Sequence, residues 1–284
     1  MKEYYTQESK YYIATNKQGY ASKGLELYYD GIDNAGEGEH SNTTTTWKDL
    51  SGNNRDGQLN NLGTSAISGW NNNYLSFDGV NDWVGCGEIN NENITLEAVH
   101  RLKSDTEGNR HIVANYQSGG YGLGASKGIL EGAVYTNSQY YTIESNITAQ
   151  TYKNNIVVQS LTYNGQEEVL YLNANEIGKE SISGDIENPL SNSIMIIGAD
   201  PTSAIATGYY ADVDVFSVRI YNRGLSREEI ELNNKVDNRR FKNQEIVPIY
   251  TENQLLKVGS GEQVLVEQEN KTYTYGTGVK YELK

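Results

Sequence analysis

Aromatic side chains placed among turn-forming residues are the first candidates for binding chemistry in this sequence. The chain holds 23 tyrosines, and a flat ring with a polar edge can stack on the C–H face of a sugar while nearby polar groups bond its hydroxyls. We predict that such rings bind a sugar, and the candidates are Trp70, Tyr121, Tyr135, Tyr140 and Tyr141. The alternative for each ring is packing between strands. The glycine-rich segment Ser118–Gly124 would let a ligand approach the backbone closely.

Residues for catalysis are poorly placed. The histidines, His40, His100 and His111, stand in no metal-ligand spacing, and no His-Glu-x-x-His helix occurs. The segment Ser76–Trp83 is similar to the Asp-box of sialidases, but Val80 stands where that motif needs glycine, and the element does not recur. We therefore expect no enzymatic activity.

Charge and cysteine content narrow the class of partner. The formal net charge is -14 with no clustered basic face, which argues against nucleic acid and against anionic membranes as partners. The only cysteine, Cys86, excludes an internal disulfide, and its setting at a strand end predicts a small buried residue. The first residues contain no apolar signal region, and no later run is long enough to cross a bilayer. We expect the protein outside cells or on a virion surface.

The elements that must hold these residues are strands. Tyr, Thr and β-branched residues alternate with polar ones in many short runs, separated by clusters of Gly, Asn, Ser and Asp. This pattern predicts an all-β protein with two antiparallel sheets in a sandwich or jelly roll. We expect an N-terminal arm at residues 1–23, the sandwich at 24–242, and a small β appendage or oligomer contact at 243–284.

One short helix is well signalled near the end of the sandwich. Ser226 and Glu229 have the spacing of a capping box, and Leu225 and Ile230 that of a hydrophobic staple. The predicted helix runs from Ser226 to about Asn238.

Four segments, taken in order and spacing, resemble the laminin G-like branch of the concanavalin A-like lectin/glucanase family. They are Gly24–Asp30 with Trp47–Gly57, Phe77–Val84, Leu170–Asn175 and Val218–Ser226. In the last of these, alternation directs Val218 and Ile220 into the core and Arg219 and Tyr221 to the other face. The resemblance covers about residues 24–242 and implies a concanavalin A-like jelly roll. It also implies that the segments around Tyr121 and Tyr140 line one shared surface.

The resemblance further implies a structural Ca²⁺, since many family members hold one with Asp side chains and backbone carbonyls. Asp78 is the first candidate ligand, with Asn81 or Asp82 beside it, and Asp214 is the second. Asp214 shares its alternation with Phe216, Val218 and Ile220, so we expect it to face the core, where an acid needs a partner. In the resembled family an acidic residue usually stands just before the segment that corresponds to Val218–Ser226, and this chain has Phe216 and Ser217 there. Glucanase relatives carry closely spaced carboxylates on one strand face, and no such run occurs.

These observations leave competing functions. The first is a non-catalytic carbohydrate-binding or adhesion module that recognises cell-surface glycans, including those of bacteria. The alternative is a structural phage virion protein, in a tail, fibre or head decoration, that uses the fold as a docking or receptor-binding knob beside other virion proteins. A homo-oligomer would suit either function. A glycosidase or lyase is the weakest hypothesis.

Overall fold

The computed structural model describes most of the chain. The described residues are 4–8, 11–104, 108–190, 193–202, 205–242, 256–258, 262–266, 272–275 and 279–282.

Strands dominate the described residues, as predicted. Up to the middle of the chain they are β1 (Tyr4–Glu8), β2 (Tyr11–Thr15), β3 (Leu25–Asp30), β4 (Thr46–Trp47), β5 (Gly57–Asn60), β6 (Gly69–Asn71), β7 (Tyr74–Asp78), β8 (Trp83–Gly85), β9 (Ile94–Leu102), β10 (Asn109–Ala114), β11 (Tyr121–Ser126), β12 (Ile129–Thr136) and β13 (Gln139–Thr148). After the single helical turn α1 (Ala149–Tyr152) come β14 (Val157–Tyr163), β15 (Glu167–Leu172), β16 (Asn175–Ser181), β17 (Ile196–Ile197), β18 (Asp200–Thr202), β19 (Ile205–Gly208), β20 (Asp212–Tyr221), helix α2 (Arg227–Phe241), β21 (Leu256–Val258), β22 (Glu262–Val266), β23 (Thr272–Tyr275) and β24 (Val279–Glu282).

Two antiparallel sheets form a jelly-roll sandwich. One, which we call the groove sheet, has the strand order β13-β12-β11-β10-β17-β8-β5-β4. The other, the helix sheet, has the order β16-β15-β14-β9-β20-β7-β6, and β3 pairs with the second half of β20. The inner faces enclose the main hydrophobic core, to which both sheets contribute fully buried side chains such as Leu96, Leu123 and Val134.

Strand β20 runs through the centre of the helix sheet. Val218 and Ile220 enter the core and Arg219 lies on the opposite face against α2, as the alternation predicts. A β-bulge at Phe216 shifts the register against β9, so Phe216 packs on Phe241 of α2 and not in the core. The bulge therefore breaks the alternation that was expected to extend back to Asp214.

Helix α2 covers the outer face of the helix sheet. Its capping box is present, with the Ser226 hydroxyl accepting from the Glu229 amide and the Glu229 carboxylate accepting from the Ser226 amide. Leu225 and Ile230 are both buried in the same cluster, which confirms the staple. The helix extends past the predicted end at Asn238 because Phe241 is buried against the sheet.

The two ends of the chain also carry strands. At the start, β1 pairs with β2, and Tyr20 of the predicted arm is fully buried, donating its hydroxyl proton to Asp237 at 2.8 Å. Near the end, β21 to β24 form a four-stranded antiparallel sheet. Among the described residues, no helix has the length and apolar character needed to span a membrane.

Candidate ligand-binding groove

A groove of about 560 Å³ lies on the outer face of the groove sheet. Alternation along β12 and β13 creates it, because Leu130, Val134 and Ile143 point into the core while Glu131 and Thr142 point outward. The lining residues come from β10 to β13, the loop after β10, and the ends of β18 and β19: Asn109, His111, Tyr116, Gln117, Ser118, Ser126, Glu131, Ala133, Tyr140, Thr142, Glu144, Asp200 and Tyr209.

Aromatic rings follow one another along this groove. Tyr209 stacks on His111 with ring centroids 5.1 Å apart, and His111 meets Tyr116 edge-on at 5.0 Å. Tyr116 in turn contacts Tyr140 at 5.3 Å, and Tyr140 contacts Tyr135 at 4.7 Å. Two of these rings are accessible to solvent: Tyr140 is 41% exposed and Tyr209 is 50% exposed.

Backbone contacts hold these rings in place. The Tyr209 carbonyl accepts from the His111 amide at 3.2 Å, and Tyr209 has a φ of 51°, in the left-handed region that a tyrosine seldom adopts. The Tyr140 hydroxyl donates to the Gly119 carbonyl at 3.2 Å. The rings are therefore positioned before any ligand arrives.

Acidic groups dominate the charge of the groove. Glu131 of β12 and Glu144 of β13 lie directly opposite each other in the antiparallel register. Burial raises the pKa of the Glu131 carboxyl, and the negative charge of Glu144 raises it further, while His111 opposes the shift. The Asp200 carboxylate lies 3.0 Å from Nδ1 of His111. Because an ionised carboxylate only accepts hydrogen bonds, Nδ1 of His111 is the donor to Asp200.

The floor of the groove is tied to the helix sheet by a buried polar chain. Nε2 of His100 donates to the Gln159 carbonyl oxygen at 3.0 Å. The Gln159 amide then donates to the backbone carbonyls of Gly124 at 3.1 Å and Glu131 at 2.9 Å. Burial lowers the pKa of His100 to about 4, so the imidazole is neutral and the direction of this chain is fixed.

The comparison with protein families decides the classification. Residues 69–231 match the model of a family described as the concanavalin A-like lectin/glucanases superfamily. The chain belongs to this superfamily. No curated protein sequence matches it.

Solved structures with the same sandwich include toxin binding domains and an enzyme. The botulinum neurotoxin serotype D binding domain has a TM-score of 0.56 at 16% identity, covering 75% of this chain and 52% of that one. The binding domain of Paraclostridial Mosquitocidal Protein 1 has a TM-score of 0.55 at 17% identity, covering 74% and 52%. Trypanosoma rangeli sialidase in complex with 2,3-difluorosialic acid has 0.54 at 17%, covering 76% and 33%. This chain thus spans about half the length of the toxin domains, and the likeness concerns the fold.

The four tyrosines predicted to bind a sugar lie on β11 to β13 and divide between the two faces of the groove sheet. Tyr140 lines the groove and Tyr135 packs beside it on the same face. Tyr141 points the other way and packs against the core. Tyr121 is 1% exposed and its hydroxyl donates to the Ile89 carbonyl, so the prediction that it stacks on a sugar is wrong. The alternation of β11 and β13 is the physical reason.

Trp70 and the glycine-rich segment also differ from expectation. Trp70 is 7% exposed, packs edge-on against Trp47 at 5.0 Å, and presents only its rim to a small polar cavity of about 270 Å³. The glycines of Ser118–Gly124 approach the protein's own backbone. A Cβ on Gly119 would lie 2.3 Å from the Asn188 carbonyl oxygen, and the Tyr116 ring lies over Gly122. They allow internal packing and leave no bare backbone for a ligand, although Ser118 does line the groove.

Several groove residues were missed by sequence reasoning, namely His111, Tyr116, Glu131, Glu144, Asp200 and Tyr209. The apolar alternation of β12 and β13 could have placed Glu131 and Glu144 outward. Nothing local could have paired them, because that requires the hairpin register.

The residues proposed for Ca²⁺ do not fit a calcium site. Asp214 is 3% exposed and faces outward, where its carboxylate accepts from Arg101 at 2.6 and 2.8 Å and from Ser76 at 2.7 Å. The Asp78 side chain accepts from the Val80 amide at 2.8 Å, as an Asx turn, and Asn81 is exposed. In the described part of the chain no group of three or more His, Cys, Asp or Glu side chains could hold a metal. Paired with a guanidinium, Asp214 has no charge left for a cation that needs six to eight oxygens.

A second cavity of about 530 Å³ opens on the same outer face, beside β5 and β8. Trp83 lines it, but the ring also packs on the small cluster of Ile196, Ala199 and Ala206. The buried Cys86 lies there too, and burial raises the pKa of its thiol to about 12, which confirms an inert packing residue. The groove at Tyr140 has the more accessible rings and is the stronger site.

Proposed function

We propose that this chain is a non-catalytic module that binds cell-surface glycans in the groove at Tyr140 and Tyr209. The observation that carries the proposal is the pair of accessible, preorganised rings flanked by hydrogen-bonding groups on the outer face of a lectin-like sandwich. A pyranose can place its C–H face on such a ring while carboxylate and amide groups bond its hydroxyls.

The resemblance to solved structures supports a binding role. Most of the similar chains named above are toxin binding domains, and another is the receptor binding domain of botulinum neurotoxin D. The sialidase is the enzyme among them. Glu131 and Glu144 bring two carboxyl groups together, as glycosidases require, so hydrolysis is a specific outcome to be tested.

The test is binding of the purified chain to glycan arrays and to bacterial cell-wall glycans, both as the free chain and clustered on a multivalent carrier. Each ring should contribute roughly 1 kcal/mol, so Tyr140→Ala or Tyr209→Ala should weaken binding about fivefold. Both rings are partly exposed, and the melting temperature should stay nearly unchanged. Clustering should strengthen adhesion by about 10²–10⁴.

The matched control is Ile67→Ala, which removes another exposed apolar side chain, 67% accessible, in the turn between Ser65 and Ser68 just before β6 of the helix sheet. Its binding should equal that of the original chain. If the clustered protein ignores every glycan, the proposal fails and the virion docking function takes first place. Release of reducing ends from a bound glycan would contradict the absence of catalysis.

A further inference from the structure

Three carboxyl groups line the groove, those of Glu131, Glu144 and Asp200. When ionised, Glu131 and Glu144 can only accept hydrogen bonds, and they lie directly opposite each other. The Gln117 amide donates to the Pro201 carbonyl at 2.6 Å and is engaged within the protein. Among the described residues that line the groove there is no lysine or arginine.

His111 adds a further polar ring to the groove. Its side chain is largely buried, with Nδ1 beside Asp200 and the ring packed between Tyr116 and Tyr209. His111 lines the groove, so a ligand bound there would lie against this ring.

The carboxylates opposite each other also need a counter-charge. Like charges at directly opposed positions of an antiparallel pair repel, since their Cβ atoms lie about 4.5–5.5 Å apart. A cation bound between Glu131 and Glu144 would relieve that repulsion. The accessible faces of Tyr140 and Tyr209 carry the negative side of the ring quadrupole and also attract a cation.

We propose that the groove selects glycans with free amino groups, so that a protonated amine of the sugar lies between Glu131 and Glu144 while the pyranose ring packs on Tyr140 or Tyr209. This deepens the proposed function and rests on it. An ammonium group has a positive charge and three donors, which matches the opposed carboxyl groups of Glu131 and Glu144. A sugar acid would place its carboxylate against Glu131 and Glu144, so sialic acid and uronic acids should be rejected.

The test compares oligosaccharides of glucosamine with N-acetylglucosamine oligosaccharides of the same length, by isothermal calorimetry on the full chain. Acetylation removes the charge and the donors but keeps the ring. We expect the amine form to bind about tenfold more tightly at low salt, and the preference to shrink as ionic strength rises. The Glu131→Gln/Glu144→Gln variant should lose this preference and still bind the acetylated form.

A matched control separates the groove from the general attraction of a polycation to a chain of net charge -14. Glu176→Gln/Glu180→Gln removes the same charge from exposed positions on β16, in the other sheet, and should keep the full preference. Should the groove double variant lose its fold, the single variant at the exposed Glu144 serves in its place.

Equal affinity for the two sugars, or an equal loss in both double variants, would overturn the amine preference. If binding to both sugars still depends on Tyr140, the proposed function survives that result. If neither sugar binds, the amine proposal is overturned, and the wider glycan test decides the proposed function.

Discussion

Glu168 is the most unusual single residue outside the groove. It lies on β15, on the side from which Leu170 enters the core, and it is fully buried. Neither carboxyl oxygen has a hydrogen-bond partner among the described residues. Burial, with a smaller contribution from Glu180, raises the pKa of Glu168 to about 9. The carboxyl is therefore protonated in the folded protein at neutral pH.

This carboxyl should make stability fall as the pH rises. The folded pKa exceeds the unfolded one, so the stabilising contribution is complete below about pH 4.5 and is lost toward about pH 9. Between about pH 6 and about pH 8 the free energy of unfolding should drop by about 3 kcal/mol. Glu168→Gln keeps the shape and cannot ionise, so urea unfolding of this variant should lack most of that drop.

The control is the adjacent Glu167→Gln, whose surface carboxylate pairs with Lys179. This variant should retain the pH dependence of the original chain. Superimposable pH profiles for the original chain and Glu168→Gln would contradict the assignment of a buried, neutral carboxyl.

Residue positions were predictable where alternation is regular and not where it breaks. Val218 and Ile220 follow the simple two-residue period into the core. Asp214 does not, because the bulge at Phe216 reverses the faces of β20 upstream of it. A bulge depends on the partner strand, so a single strand's sequence does not reveal it.

At the scale of elements, α2 is attached to β20 by a buried ion-pair network centred on Arg219. Arg219 is fully buried, with Nε 2.9 Å from the Glu97 carboxylate and its two terminal nitrogens 2.9 and 2.7 Å from that of Asp237. The guanidinium also lies 4.0 Å from the centre of the Tyr20 ring. One side chain therefore joins β20, β9, α2 and the end of the N-terminal arm.

Replacing this arginine by lysine should be costly despite the equal charge. A lysine cannot bond both carboxylates in the forked geometry, and an unpaired buried charge would remain. We expect Arg219→Lys to lower the free energy of unfolding by about 3 kcal/mol, measured by urea denaturation. Arg227→Lys, on the same helix in an exposed pair with Glu231, should cost less than about 0.5 kcal/mol. A stability loss no larger than the control's would show that the attachment of α2 to β20 does not depend on Arg219.

The capping box and staple made α2 predictable, because those signals are local in sequence. The attachment of α2 to the helix sheet could not be predicted, because Arg219, Glu97 and Asp237 come together only in the folded protein. The same holds for the groove, which needs the β12–β13 hairpin register and the approach of Tyr209 to His111.

For the whole molecule, the many short alternating strands and the family motifs were enough to predict the sandwich. The match of residues 69–231 to the superfamily model confirms this prediction. The ring candidates differ in where the structure places them. Tyr140 alone among them lines the groove, because strand alternation turns Tyr121 and Tyr141 inward. Weak single sites of this kind suit a module displayed in several copies, where avidity multiplies affinity.

The decisive measurement is a crystal structure of the chain with an oligosaccharide bound at saturation, using the glycan that binds best in solution. We expect a pyranose ring in van der Waals contact with Tyr140 or Tyr209, at about 4 Å, with sugar substituents bonded to Glu131, Glu144 or His111. A sugar seated instead in the cavity beside Trp83, or on the helix sheet, would contradict it.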